Sequence, residues 1–279
     1  MGDYVERSIP SHYSVESTLH AIRAARERHP NLSDLLALHE DILALQALAE
    51  ETGESAAGPL PRPEGRSRDL AEGIPWLHFD DLALGETTFA HAVRQVAAVL
   101  RQHRQEWVGE EVSEDPAALL MLARTAVEGR RSLIGDQTSL AEASVEMAIE
   151  AEMRRLAGRV APHLEVDLWR RGSCPFCGSP PALSLLEPSV GARFLFCQRC
   201  HTSWSFPRTG CAFCPNDTSL TYHTTDNDAY RLYVCPICQK YLKTIDLRKS
   251  AGEVNPAVEH LLTVGLDLAA VERGYLHEA

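Results

Sequence analysis

The period of the hydrophobic pattern changes about two thirds of the way along the chain. Before residue 170 apolar positions recur at helical spacing; from 174 to 245 short apolar runs alternate with tight turns. Ser14 is a capping residue ahead of a helix expected to run to about His29, where Pro30 ends it. Ser33 opens a second segment, in which Leu35, Leu36, Leu38, Ile42, Leu43, Leu45 and Leu48 make a broad apolar stripe. Residues 52–68 are polar and rich in Gly and Pro, which predicts an exposed loop or linker. A third helix is expected over about 87–107, capped by Thr87 or Thr88 and carrying Phe89, Val93, Val96 and Leu100. A fourth starts near Pro116, whose fixed φ suits a first turn. A fifth runs from about Ser139 to Leu156, with a continuation toward Trp169 open. Stacked amphipathic helices with short connections predict an α-helical domain over residues 1–170. After the strand-like region, Asn255-Pro256 signals one closing helix within 246–279. Its expected apolar face is Val258, Leu261, Leu262, Gly265, Leu268 and Ala269, and Gly274 is its expected stop.

All eight cysteines lie in the strand-like region, as four pairs of one spacing: Cys174 and Cys177, Cys197 and Cys200, Cys211 and Cys214, Cys235 and Cys238. Two intervening residues let both thiolates of a knuckle face one ion, and two knuckles complete a tetrahedral S₄ site. The separations from Cys177 to Cys197 and from Cys214 to Cys235 suit sequential pairing. Cys174, Cys177, Cys197 and Cys200 would then hold one metal ion, and Cys211, Cys214, Cys235 and Cys238 a second. The order knuckle, strand, turn, strand, knuckle occurs twice, which predicts modules over 171–208 and 209–245. Neither is large enough for a self-sufficient core, so a metal staple is the expected stabiliser.

Which metal is less constrained, since tetrahedral thiolate sites suit iron and zinc alike. The Cys-Pro-Phe-Cys-Gly and Cys-Pro-Ile-Cys runs are similar to rubredoxin knuckles, which favours iron with zinc as the alternative. Pro215, after the third knuckle, has no N–H to offer a sulfur, so the second site should be the less rubredoxin-like. With eight thiolates available, His201 and His223 read as solvated loop histidines rather than extra ligands. Trp204 and Phe206 read as ribbon core. Asp80-Asp81 and Glu110-Glu111 read as helix-flanking surface charge.

Composition narrows the function. The 279 residues are 44% hydrophobic and 24% charged, ordinary for a globular protein. The net charge of -12 is uneven: residues 174–244 carry a local +2, residues 245–279 a local -3 and residues 1–173 the remaining -11. An acidic body with a near-neutral cysteine module is a poor match for phosphate backbones and argues against nucleic acid. No secretory signal or membrane span is visible in the sequence, so stable membrane insertion is not expected. A reducing cytoplasm is expected, where CxxC pairs are metal ligands more often than disulfides. No P-loop, GxGxxG, GxSxG or HExxH motif is present, and no enzymatic activity is expected.

The layout resembles the formate dehydrogenase accessory protein FdhE family. The residues carrying the likeness are the runs 174–181 (CPFCGSPP), 196–204 (FCQRCHTSW), 211–214 (CAFC) and 235–243 (CPICQKYLK), and the stretch from Leu261 to Tyr275. The likeness is specific over about 174–275 and only architectural over 1–165. It implies an α-helical N-terminal domain followed by two rubredoxin-like metal modules. It also implies a non-catalytic assembly factor that binds the formate dehydrogenase catalytic subunit in the cytoplasm, with redox-active iron in the sites. The competing readings are a zinc-ribbon nucleic-acid or transcription-associated binding protein and a free-standing electron carrier. A ribbon of local charge +2 supports the first thinly, and the second leaves the large helical half without a role.

Overall fold

Capping side chains fix where four of the α-helices start. In the computed structural model, which describes residues 9–52, 66–129, 138–164, 166, 169–217, 220–225, 227–250 and 252–276, the Ser14 hydroxyl accepts the Ser17 N–H at 3.1 Å and opens α1, Val15–Arg28. One 3₁₀ turn at Pro30–Leu32 leads into α2, Ser33–Thr52. Asp115 caps α5, Pro116–Glu128. Ser139 and Glu142 form a reciprocal capping box on α6, Leu140–Val160.

Three expectations for this half change. Most of the linker expected over 52–68 lies outside the described residues, but Arg66 to Arg68 are helical and begin α3, Arg66–Glu72. The third long helix, α4, is Glu86–His103, opened by Gly85 rather than a threonine. The Gly85 carbonyl already accepts the Phe89 N–H at 2.8 Å, so the helix is under way before Thr87. At the far end Arg104 is extended, and Gln105–Trp107 form only a 3₁₀ turn. Finally, α6 does not continue to Trp169. Pro162 lacks the N–H an α-helix needs and its ring crowds the preceding turn, so the chain leaves through a 3₁₀ turn at Ala161–His163.

The cysteine region forms one sheet. Its strands are β1 Leu183–Leu186, β2 Arg193–Phe196, β3 Ser203–Phe206, β4 Thr221–Thr224, β5 Tyr230–Val234 and β6 Tyr241–Asp246, in the order β3-β2-β1-β6-β5-β4. Each repeat contributes an antiparallel meander, and the two meet head to tail through a parallel β1–β6 pair. At that seam Ser184 pairs with Thr244, and their buried hydroxyls lie 2.7 Å apart. The junction strands β1 and β6 are buried along their whole length, while the outer strand β4 is exposed along its own.

The C-terminal segment is two helices rather than one. Asn255 caps α7, Pro256–Leu262, through the N–H groups of Ala257 and Val258. The helix breaks at Thr263, whose hydroxyl donates to the Glu259 carbonyl at 2.6 Å, a side-chain bond that bends helices. Residues Val264–Glu272 resume as α8, and Gly274 ends it with φ +82°. The break splits the expected apolar face. Val258 and Leu261 pack with Ile22, Leu36 and Leu43 of α1 and α2, whereas Leu268 is exposed and Ala270 is the residue α8 buries, against Leu232, Val234 and Tyr241. Lys243 in β6, itself buried, ties α8 to the sheet by donating to Asp267 at 2.7 Å. Among the described residues no helix is long and apolar enough to cross a membrane.

Candidate metal centres

Each cysteine pair sits on a tight knuckle closed by the backbone. The N–H of the first cysteine donates to the carbonyl five residues on: Cys174 to Ser179, Cys197 to Thr202, Cys211 to Asn216 and Cys235 to Lys240, at 2.7–3.0 Å. In three knuckles the residue after the second cysteine also donates back to the first cysteine's carbonyl, at 2.9 Å from each of Gly178, His201 and Gln239. Those three residues occupy the left-handed region, with φ +81°, +58° and +58°. Glycine adopts it without cost and His201 and Gln239 do not. Pro215 holds the corresponding place in the third knuckle, where its missing N–H removes this second bond. That agrees with the expectation that the second site is the less regular.

The fold brings the eight thiols into two sets of four, those expected from the spacing, and in each set the Sγ atoms lie within 4.8 Å of one another. Across the first set Cys174 and Cys200 are 3.5 Å apart, as are Cys177 and Cys197. Across the second, Cys211 to Cys238 and Cys214 to Cys235 are 3.7 Å. A tetrahedron with metal–sulfur bonds of about 2.3 Å needs sulfurs roughly 3.7–3.8 Å apart, whereas a disulfide needs about 2.05 Å. Both sets therefore fit a tetrahedral thiophilic ion and neither is disulfide-bonded. Burial pushes the thiols of Cys174 and Cys200 well up and that of Cys211 up to about 12. A bound cation offsets that cost by displacing the protons.

The surroundings of the two centres differ. At the first all four cysteines are buried within the apolar core of the helical half. Phe176, between the cysteines of the first knuckle, stacks on Trp76 at 5.6 Å between ring centroids. The backbone N–H groups of Trp76 and Leu77 donate to the carbonyls of Pro175 and Phe176 at 2.9 and 2.7 Å. Arg199, in the second knuckle, bonds Glu146 of α6 at 2.7 Å and Ser179 at 2.9 Å, and the Ser179 hydroxyl lies 3.4 Å from the Cys177 sulfur. A buried ionic chain thus runs from α6 to a cysteine. At the second centre Cys214 and Cys238 are partly exposed, and Ile237, between Cys235 and Cys238, is 71% exposed. There the Asn216 side-chain amide donates to the Cys235 sulfur at 3.3 Å. Burial disfavours the Cys235 thiolate, yet this amide and the backbone N–H groups of Cys238 and Ile237 bring its pKa down to about 6. Just before the first knuckle the backbone approaches this module closely. A Cβ on Gly172 would lie 1.8 Å from the Ala212 carbonyl oxygen, so only glycine permits the approach.

His201 departs from expectation. It is 1% exposed rather than solvated. Its carbonyl accepts the Tyr13 N–H at 3.1 Å, its Nδ1 lies 3.3 Å from the Tyr13 carbonyl, and Ser203 donates to Ser11 at 2.9 Å. The segment before α1 is therefore stitched to the second knuckle, and burial holds the imidazole well below its ordinary pKa. His223 is exposed, and Trp204 is core with Phe206 packed against it. Of the paired carboxylates, Asp81 is more than surface charge: it receives two 2.7 Å bonds from Arg66, which also lies over the Trp76 ring. Trp76, Glu146 and Arg199 went unassigned in the sequence. An aromatic in the Pro75-Trp76-Leu77 run after Gly73 was the one local sign of a docking loop.

Comparison with known proteins shows what these features are similar to. Residues 173–208 match the model of the FdhE central domain. An FdhE homologue of Aquifex aeolicus is 41% identical over 118 residues, 40% of this chain, and one of Pseudomonas aeruginosa is 27% identical over 91% of it and 84% of the relative. The alignments span 41% of the A. aeolicus relative's own length and 44% of that of a Haemophilus ducreyi homologue. The crystal structure of the FdhE protein from P. aeruginosa shares the fold, with a TM-score of 0.63 over 96% of both chains at 24% identity. From the first cysteine module outward to the helical body, this chain is similar to FdhE proteins.

Proposed function

We propose that the protein is a non-catalytic accessory factor in formate dehydrogenase maturation, acting in the cytoplasm on the catalytic subunit, with one metal ion in each cysteine set. The observation that carries the reading is the pair of S₄ clusters in an FdhE-type module packed against a large helical body. Cys174, Cys177, Cys197 and Cys200 would bind one ion, and Cys211, Cys214, Cys235 and Cys238 the other. Iron is the expected metal and zinc the alternative. Bound there, iron would supply a one-electron couple with no change of ligands. The chain's own residues hold the sulfurs through knuckle hydrogen bonds, exclude water from the first centre and leave the second at the surface, where a client can reach it.

The test is oxygen-free affinity capture of the tagged protein from its own host, read by mass spectrometry, with metal analysis of the same preparation. Recovery of a formate dehydrogenase catalytic subunit with two iron ions per chain is the expected result. Recovery of RNA polymerase, ribosomal or DNA-bound proteins with zinc would sink the reading in favour of a nucleic-acid-associated ribbon protein.

A further inference from the structure

A cavity of about 320 Å³ lies beside the first metal centre, between α1, α2, α6, α7 and the first two knuckles. One part of its lining is apolar, with Ile22, Ile42 and Leu43 from the helical body and Val258 and Leu261 from α7. The other part carries Arg154 and Arg199, each only 6% exposed. Both guanidinium groups are partly engaged. Arg154 donates to Gln46 at 3.0 Å and to Glu150 at 2.6 Å, and Arg199 donates to Glu146 and Ser179. Each keeps one buried donor, Arg154 Nε and Arg199 Nη2, with no hydrogen-bond partner among the described residues. A buried guanidinium donor left unpaired is costly, and such groups in a cavity mark an acceptor from outside the chain.

We propose that this cavity is a binding site for a small organic carboxylate, its apolar body against Ile22, Leu43 and Leu261 and its carboxylate taken by Arg154 and Arg199. Charge and size decide the class. Glu150 beside Arg154 and Glu146 beside Arg199 disfavour a dianion such as phosphate, while a single carboxylate offers two acceptor oxygens to the spare donors. The apolar lining disfavours a bare inorganic anion. An apolar cavity of about 150 Å³ takes benzene, so this one has room for roughly ten to fifteen non-hydrogen atoms. Ser179, Gln198, Arg199 and His201 belong both to the cavity wall and to the knuckles of the first centre, so an occupant would touch the shell that holds those cysteines. The assignment stands on the cavity alone and does not depend on the identity of the client.

The experiment is calorimetric titration of the full-length, metal-loaded protein with 4-methylpentanoate, its neutral amide 4-methylpentanamide, and acetate. Binding of 4-methylpentanoate at least tenfold tighter than either of the others is expected. Arg154→Gln should remove that preference and leave the weak amide affinity unchanged, and Leu43→Phe, which narrows the apolar part, should weaken acid and amide together. Equal affinity for acid and amide would overturn the carboxylate assignment. No binding of any of the three, or an undiminished preference in folded Arg154→Gln, would overturn the site. Should Arg154→Gln fail to fold, the ligand series on the unaltered protein together with Leu43→Phe decides the matter.

Discussion

The two cysteine clusters share ligand type, ligand spacing and strand order, yet one is sealed in a core and the other stands at a surface. The cause lies outside the sheet, which gives each meander one central strand and one edge strand. The core of the helical half encloses Cys174, Cys177, Cys197 and Cys200, whereas Cys214 and Cys238 stay partly exposed. Phe176 and Ile237 make the contrast at one position. Both immediately precede the second cysteine of a knuckle; Phe176 is fully buried under Trp76, and Ile237 points to solvent. A metal-binding motif thus fixes the ligands of a centre but not its solvent access, which follows from what the rest of the chain packs on it. The first centre is built as a structural member of the fold. The second keeps the exposure that exchange of metal, electrons or partners requires.

The sharpest way to break this comparison is to remove one ligand from each centre. Cys177→Ser should leave little soluble folded protein, because structural metal sites of this kind contribute about 10–16 kcal/mol to folding and this one lies in the shared core. Cys214→Ser should lose one ion per chain and retain the helical core, as read by metal analysis and thermal melting. Equal effects in the two variants would mean that the difference in burial has no energetic weight.

The buried ion pair comes next. Arg199→Leu removes the 2.7 Å ion pair with Glu146, which is fully buried, and should cost about 3–5 kcal/mol in denaturant unfolding. A loss below about 1 kcal/mol would show that the α6 link does not anchor the first centre.

Chelator challenge of the unaltered protein should release metal in two phases. The second centre should empty at least about tenfold faster, a difference of ~1.4 kcal/mol in opening free energy, and the fast phase should vanish in Cys214→Ser. A single phase would equalise the centres.

The smallest effect is in the backbone. Gly178→Ala, at φ +81° in the first centre, should destabilise by about 1–2 kcal/mol. Gln239→Ala, in the equivalent place of the second, should change stability by less than about 0.5 kcal/mol, since a side chain already occupies that conformation and Gln239 is exposed. Measured melting points of the pair would test whether the knuckles share one strain.

Much of this architecture is written in local chemistry. Ser14, Pro116, Ser139 and Asn255 each begin a helix because a cap or a fixed φ satisfies backbone groups within three residues, with no help from the rest of the chain. The four CxxC spacings likewise specify knuckles, and sequential pairing into two sets follows from loop length, so both clusters were legible before any fold was known. The tertiary structure decided what depends on residues far apart. It buried His201 under a segment nearly 190 residues earlier in the chain, split the closing helix so that α7 faces one core and α8 another, and joined Glu146 to Arg199. It also chose which of two near-identical motifs would be sealed. Local sequence sets short-range hydrogen bonds and metal-ligand spacing; burial is set by the surfaces that long-range packing happens to bring together, and no periodicity along the chain records that choice.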